Sequence, residues 1–125
     1  GEAKRLHGWI EAARAAGANI LCGGTREGAM LRATLIEGAD KSLDVACQEA
    51  FGPVALIEPF DDFEAALERV DDSMFGLQAG IFTDSMSRAM HAWDVLDVGG
   101  RPDERTGAAG GSHRPRYRPG CPARR

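Results

Sequence analysis

The chain has 125 residues and a mass of 13.3 kDa, with 43% hydrophobic and 27% charged residues, which is enough for one ordinary domain at most. The modest net charge of −4 argues against a chain disordered throughout. There is no apolar run of about eighteen residues and no basic-then-apolar opening, so we expect no membrane span, no secretory leader and a cytoplasmic setting.

The charge is unevenly spread. Residues 1–100 carry 8 basic and 17 acidic side chains, whereas residues 101–125 carry 7 arginines and 2 acids. That last stretch has no Ile, Leu, Val, Met, Phe or Trp, so ordering it would cost entropy with little apolar burial in return. The expected body is residues 1–100, followed by a disordered Arg/Pro/Gly-rich tail, 101–125. Cys22, Cys47 and Cys121 are sparse, and neither CxxC nor zinc-finger spacing occurs, so no disulfide framework or structural metal is expected. Gly1 in place of Met marks a processed or partial chain.

In chain order, residues 3–16 read as a helix, with Leu6, Trp9, Ile10 and Ala13 on one face and Gly17 as its stop. Asn19–Cys22 reads as a strand closed by Gly23-Gly24. A second strand is expected over 30–36, and 43–51 reads as irregular or extended. The continuous apolar run Val54–Ile57 suggests a strand covered on both faces. Asp61 or Asp62 then caps a helix with core face Phe63, Ala66, Leu67 and Val70. Ala79–Phe82 reads as another buried strand. Asp84 or Ser85 caps a last helix bearing Met86, Ala89, Met90, Trp93 and Leu96 on one face, and Gly99-Gly100 stops it. This alternation predicts an α/β fold of parallel strand–helix–strand–helix units. A further apolar strand expected after Gly100 is missing.

The most informative string is Gln48-Glu49-Ala50-Phe51-Gly52-Pro53-Val54. It is followed by Glu58-Pro59-Phe60, Asp72-Ser73-Met74-Phe75-Gly76-Leu77, Ala79-Gly80-Ile81-Phe82-Thr83 and Val98-Gly99-Gly100. It is preceded by Gly23-Gly24 and Ala33-Thr34-Leu35. This ordered series, over residues 3–100, resembles the C-terminal part of the aldehyde dehydrogenase superfamily. The resemblance implies an incomplete catalytic domain of an oxidoreductase that converts an aldehyde substrate to a carboxylic acid or thioester with NAD or NADP. In that family a cysteine thiolate attacks the aldehyde, and a glutamate activates the water that releases the acid. It also implies a homo-oligomer for the whole enzyme.

The family's Glu-x-Phe-Gly-Pro segment contacts the coenzyme, which makes Glu49 and Phe51 the expected cofactor-binding residues. Their chemistry agrees. In an extended chain, positions i and i+2 face one side, about 6–7 Å apart. A carboxylate can accept from two ribose hydroxyls, and a phenyl ring offers a flat apolar wall. Taken alone, the segment reads better as a solvated acid, a core Phe and a Gly-Pro turn; the surrounding series reverses that preference.

Departures are informative. Ala33 and Asp71 replace the family's usual Pro and Asn. Nothing in residues 1–48 matches the catalytic cysteine or the general-base glutamate, both of which lie upstream in the family, and the nucleotide-binding Rossmann half is missing. No catalytic residue and no metal ligand is therefore assigned. Cys47 lacks a base and reads as structural, Cys22 as a small buried hydrophobe and Cys121 as an exposed thiol. His7 and His91 have no ligand spacing, the Asp pairs read as helix caps, and the Gly23–Gly28 stretch lacks GxGxxG and a Walker lysine. The alternative is a non-catalytic α/β interaction module whose basic tail binds nucleic acid or an acidic partner. Nucleic acid is the less expected partner, because Arg, Gly, Pro and Ala share GC-rich codons. An out-of-frame reading beginning where the family pattern stops explains the tail more economically.

Overall fold

The computed structural model describes residues 1–73 and 75–97. Met74, Val98–Gly100 and the basic tail, with Cys121, lie outside the described residues. The chain divides into two units, one of residues 1–59 and one beginning at residue 60.

The first unit begins with α1, Glu2–Ala15, whose Leu6, Ile10 and Ala13 are buried at the expected helical spacing. The helix ends as the sequence suggests. Gly17 takes a φ of 97°; its N–H donates to Arg14 O, and the Ala18 N–H donates to Ala13 O, a paired closure that needs the left-handed residue between them. Strand β1, Asn19–Cys22, follows. The predicted strand over 30–36 is two strands. Arg26–Glu27 (β2) and Met30–Leu31 (β3) form a small hairpin, and Thr34–Glu37 (β4) belongs to a different sheet. The break falls at Arg32-Ala33, where the chain leaves one sheet for the other: Arg32 N–H donates to Thr25 O, and Arg32 O accepts from the Thr34 hydroxyl.

The main sheet has the order β1-β4-β5, β5 being Val54–Ile57. β1 and β4 are antiparallel with a bulge at Leu21, since Ile20 faces Ile36 but Cys22 faces Leu35. β4 and β5 are parallel, Thr34 opposite Val54 and Glu37 opposite Ile57. The link between them contains a one-turn helix, α2, Asp44–Cys47, where the sequence suggested irregular chain. The turn before it is tied by Asp40, whose carboxylate accepts from the Ser42 amide at 2.8 Å and from its hydroxyl. The hydroxyl and then the amide hold this carboxyl below its ordinary value.

Ile10, Ala13, Ala18, Ile36 and Val45 form the core of this unit, with Trp9, Ile20, Leu31, Leu43 and Val54 packed around it. The expectation that β5 is covered on both faces is not met. Leu56 and Ile57, successive residues that point to opposite faces, are 42% and 41% exposed, so neither face of β5 is fully covered among the described residues.

The second unit holds two helices, α3 (Phe63–Asp71) and α4 (Met86–Val95). The caps are Asp62, which accepts from Ala65 N at 2.7 Å, and Ser85, which accepts from Arg88 N at 3.4 Å. Leu67, Ala92 and Leu96 are buried together with Phe63 against them, while Val70 is exposed. Among the contacts that join this pair, His91 Nε2 lies 2.7 Å from Glu64 Oε2, Asp97 N–H donates to Asp71 Oδ1, and the Arg88 guanidinium lies over the Phe63 ring.

Two expectations are corrected here. The face of α4 turned inward carries Ala89, Ala92 and Leu96, whereas Met86, Met90 and Trp93 are exposed. Both sets satisfy helical spacing, and the small Ala92 side allows close approach to Leu67. Ala79–Phe82 forms no strand: Ile81 is 39% exposed and Phe82 fully so. An apolar run becomes a strand only where a neighbouring strand takes up its backbone groups, and this run has none among the described residues.

Candidate functional site

Residues 48–53 run from the end of α2 to the start of β5, and their backbone is held from outside. The Arg5 guanidinium donates to Glu49 O at 3.3 Å. Pro53 O accepts from Thr34 N–H at 2.8 Å. Gly52 lies so close to α1 that a Cβ there would come within 2.4 Å of Leu6 Cδ1. Within the segment, Gly52 N–H donates to Ala50 O and Val54 N–H to Gly52 O, two successive three-residue turns centred on Phe51 and Pro53. The fixed φ of proline suits the second. The expected extended chain is therefore kinked at Phe51, because the turn bonds replace a strand partner.

These anchors hold the backbone and leave the side chains of Glu49 and Phe51 outside. Glu49 is exposed and Phe51 is 70% exposed. A ring left so far in water gives up most of the burial that core packing would provide. The reading of Phe51 as a core residue is thus excluded for this chain. An acid acceptor and an apolar plane stand free on one short, anchored segment.

The mouth of this segment depends on Thr34, 1% exposed. Its hydroxyl accepts from Gly24 N–H at 2.9 Å and donates to Arg32 O at 2.7 Å, while its own amide donates to Pro53 O. One residue, through its hydroxyl and its amide, ties the Gly23-Gly24 turn, the entry to β4 and the end of the Glu49–Pro53 segment. Gly23 is fitted to that junction: its φ is 73°, and a Cβ there would stand 2.0 Å from Ala33 O. The Gly24 amide is thereby spent on Thr34.

The other candidates fall into place around the segment. Cys47 is 8% exposed at the end of α2. Cys22, expected as a buried hydrophobe, is an exposed free thiol, since the edge strand β1 turns it outward. His7 lies 3.9 Å from Glu11 one turn along α1, and His91 meets Glu64. Among the described residues no three His, Cys, Asp or Glu side chains gather as a metal site. Sequence reasoning missed Arg5, Leu6 and Thr34. The first two carry no local signal, since their partners lie more than forty residues away.

The body is thus an α/β arrangement with a mixed sheet and one parallel crossover, and an acid–aromatic segment at the entrance to its parallel edge strand. Comparison with known proteins places that arrangement: the model of the aldehyde dehydrogenase family matches residues 1–101, and the chain belongs to that family. It is 38% identical over 99 residues to 3-sulfolactaldehyde dehydrogenase of Priestia aryabhattai, covering 79% of this chain and 21% of that protein. It is 37% identical over 95 residues to benzaldehyde dehydrogenase (NAD(+)) of Pseudomonas putida, covering 76% and 20%. Among solved structures, aldehyde dehydrogenase 21 of Physcomitrella patens, in complex with the reaction product succinate, superposes with a TM-score of 0.76 at 36% identity, over 78% of this chain and 20% of that one. Betaine aldehyde dehydrogenase of Staphylococcus aureus, in complex with NAD+, gives 0.70 at 28% identity, over 78% and 21%. The chain spans about a fifth of the length of these relatives. The family match ends one residue past Gly100, where the composition changes. No helix among the described residues is long and apolar enough to cross a membrane.

Proposed function

We propose that this chain supplies part of the coenzyme site of an NAD(P)-dependent enzyme that oxidises an aldehyde. In this reading the Glu49 carboxylate accepts hydrogen bonds from neighbouring ribose hydroxyls, and the Phe51 ring is the apolar wall beside the ribose or nicotinamide. The observation that carries it is that both side chains stay in solvent while Arg5, Leu6 and Thr34 hold their backbone. When bound, the coenzyme accepts hydride from the substrate carbon. The residues named here bind and orient it, and none of them performs the chemistry.

The test is a fluorescence titration of the chain with NADH. Glu49→Gln keeps the size of the side chain but removes its charge, and we expect affinity to fall roughly tenfold, the equivalent of about 1.4 kcal/mol. Phe51→Ala should weaken binding to a similar extent by removing the wall. Unchanged affinity in both variants overturns the reading.

No residue of this chain is assigned as nucleophile or general base. Incubated with NAD and a simple aldehyde, the purified chain should therefore form no NADH, and turnover would refute that assignment. Residues 101–125 lie beyond the family match, and in this reading they contribute nothing to the site. A chain ending at residue 100 is expected to bind NADH as well as the full one does.

A further inference from the structure

We propose that α1 positions the coenzyme segment by a two-point clamp: Arg5 through the Glu49 carbonyl, and Leu6 beneath Gly52, together set where the Glu49 carboxylate and the Phe51 ring stand. This rests on the reading of Glu49 and Phe51 given above.

Residues 49–53 lie outside any strand or helix, and their internal hydrogen bonds are the two three-residue turns. Backbone of that kind opens easily unless something outside holds it. Arg5 and Leu6 are neighbours on α1, and they grip positions 49 and 52, so that Ala50 and Phe51 are bracketed between the two contacts.

Each grip is itself well held. The Arg5 Nε donates to Glu2 Oε1 at 3.2 Å and its Nη2 donates to the same oxygen, the guanidinium lies 4.5 Å from the centre of the Trp9 ring, and Nη2 also reaches Glu49 O at 3.3 Å. Glu2 and Trp9 limit the conformations of this long side chain, so less freedom is lost in making the carbonyl contact. A charged donor also makes a stronger bond to a carbonyl than a neutral one. Leu6 is 2% exposed, and the missing side chain of Gly52 is what lets the segment settle on it. Arg5 is a positioning residue in this account: it reaches the coenzyme through Glu49 and Phe51.

The experiment combines amide hydrogen exchange, followed by NMR, with NADH affinity. The variants are Arg5→Met, Arg5→Lys and Leu6→Ala, with Arg14→Met as a charge control on the same helix. We expect Arg5→Met to speed exchange at Gly52 and Val54 while leaving β1 and β4 as they were, and Arg5→Lys to restore part of the protection. Leu6→Ala should loosen the same amides from the other end. NADH affinity should fall about threefold to tenfold in Arg5→Met, the range of one lost hydrogen bond. In a background carrying both Glu49→Gln and Phe51→Ala the same substitution should change affinity less than about twofold, because the clamp acts through those two side chains.

An equal loss in both backgrounds overturns the proposal, since Arg5 would then act on the coenzyme by itself. Unchanged exchange in Arg5→Met removes the clamp and leaves the coenzyme reading standing. Unchanged affinity in Glu49→Gln and Phe51→Ala removes the coenzyme reading and, with it, the clamp's function.

Discussion

Gly23 shows how much of this molecule is decided at single positions. It combines a φ of 73° with a backbone oxygen 2.0 Å from where a Cβ would stand, and neither can relax without moving Ala33 and hence Thr34. Gly23→Ala should cost well over about 2 kcal/mol, the sum of a left-handed backbone penalty and a clash with main chain. Gly8→Ala is the contrasting case: the site is helical with nothing within 4 Å, so alanine should gain about 0.5–1 kcal/mol. Amide protection across the β1–β4 pairing should collapse in the first variant and persist in the second. At this scale the sequence was readable in part. Gly23-Gly24 announced a turn, and Glu49 and Phe51 announced themselves through their string. Thr34, which ties that turn to the segment, did not, because a buried threonine and a solvated one look alike in a row of letters. Cys22 was misread for a related reason: an apolar neighbourhood in sequence says nothing about which edge of a sheet the strand will occupy.

At the scale of elements, local signals were read well and pairing signals poorly. The end of α1 at Gly17 and the caps at Asp62 and Ser85 depend on groups within five residues; the first was legible outright and each cap to within one residue. The division of residues 30–36 between two sheets depends on partners elsewhere, as does the absence of a strand at Ala79–Phe82. The inward face of α4 belongs to the same class, since the helix offers two apolar stripes and α3 selects one of them. The caps are open to test. Asp62→Ala removes the acceptor for the Ala65 amide, and the loss should be about 1 kcal/mol. Fraying should be confined to the first turn of α3, visible as faster exchange at Ala65 and Ala66. Asp62→Asn, which keeps a side-chain acceptor, should recover most of it. Loss of protection throughout α4 as well would mean that the cap supports more than its own helix.

At the scale of the whole molecule, the apolar surface left in water stands out. Leu77 is 87% exposed, Phe82 fully, Met86 77% and Trp93 71%, with Leu56 and Ile57 along β5. Exposed apolar groups of this size and number favour self-association. We expect the purified chain to bind an apolar dye and to associate as its concentration rises, with a water-like Trp93 emission in the dilute state that Trp93→Phe abolishes. A monomer with a sharp melting transition and no dye binding would contradict this. How far such association runs depends on the two sides of the main sheet, which are not alike. The β5 side is straight, apolar and parallel, and its outward amides and carbonyls can receive another strand. The β1 side is bent by the extra residue at Leu21, which breaks the regular spacing a newcomer would need. We expect two copies to meet through their β5 sides about a twofold axis, which would use up the receptive border of the main sheet among the described residues. Growth by a third copy would have to begin at the kinked one. On this expectation the single displaced residue in β1 would act as a terminator, holding association at a closed pair where a regular border would allow an endless ribbon.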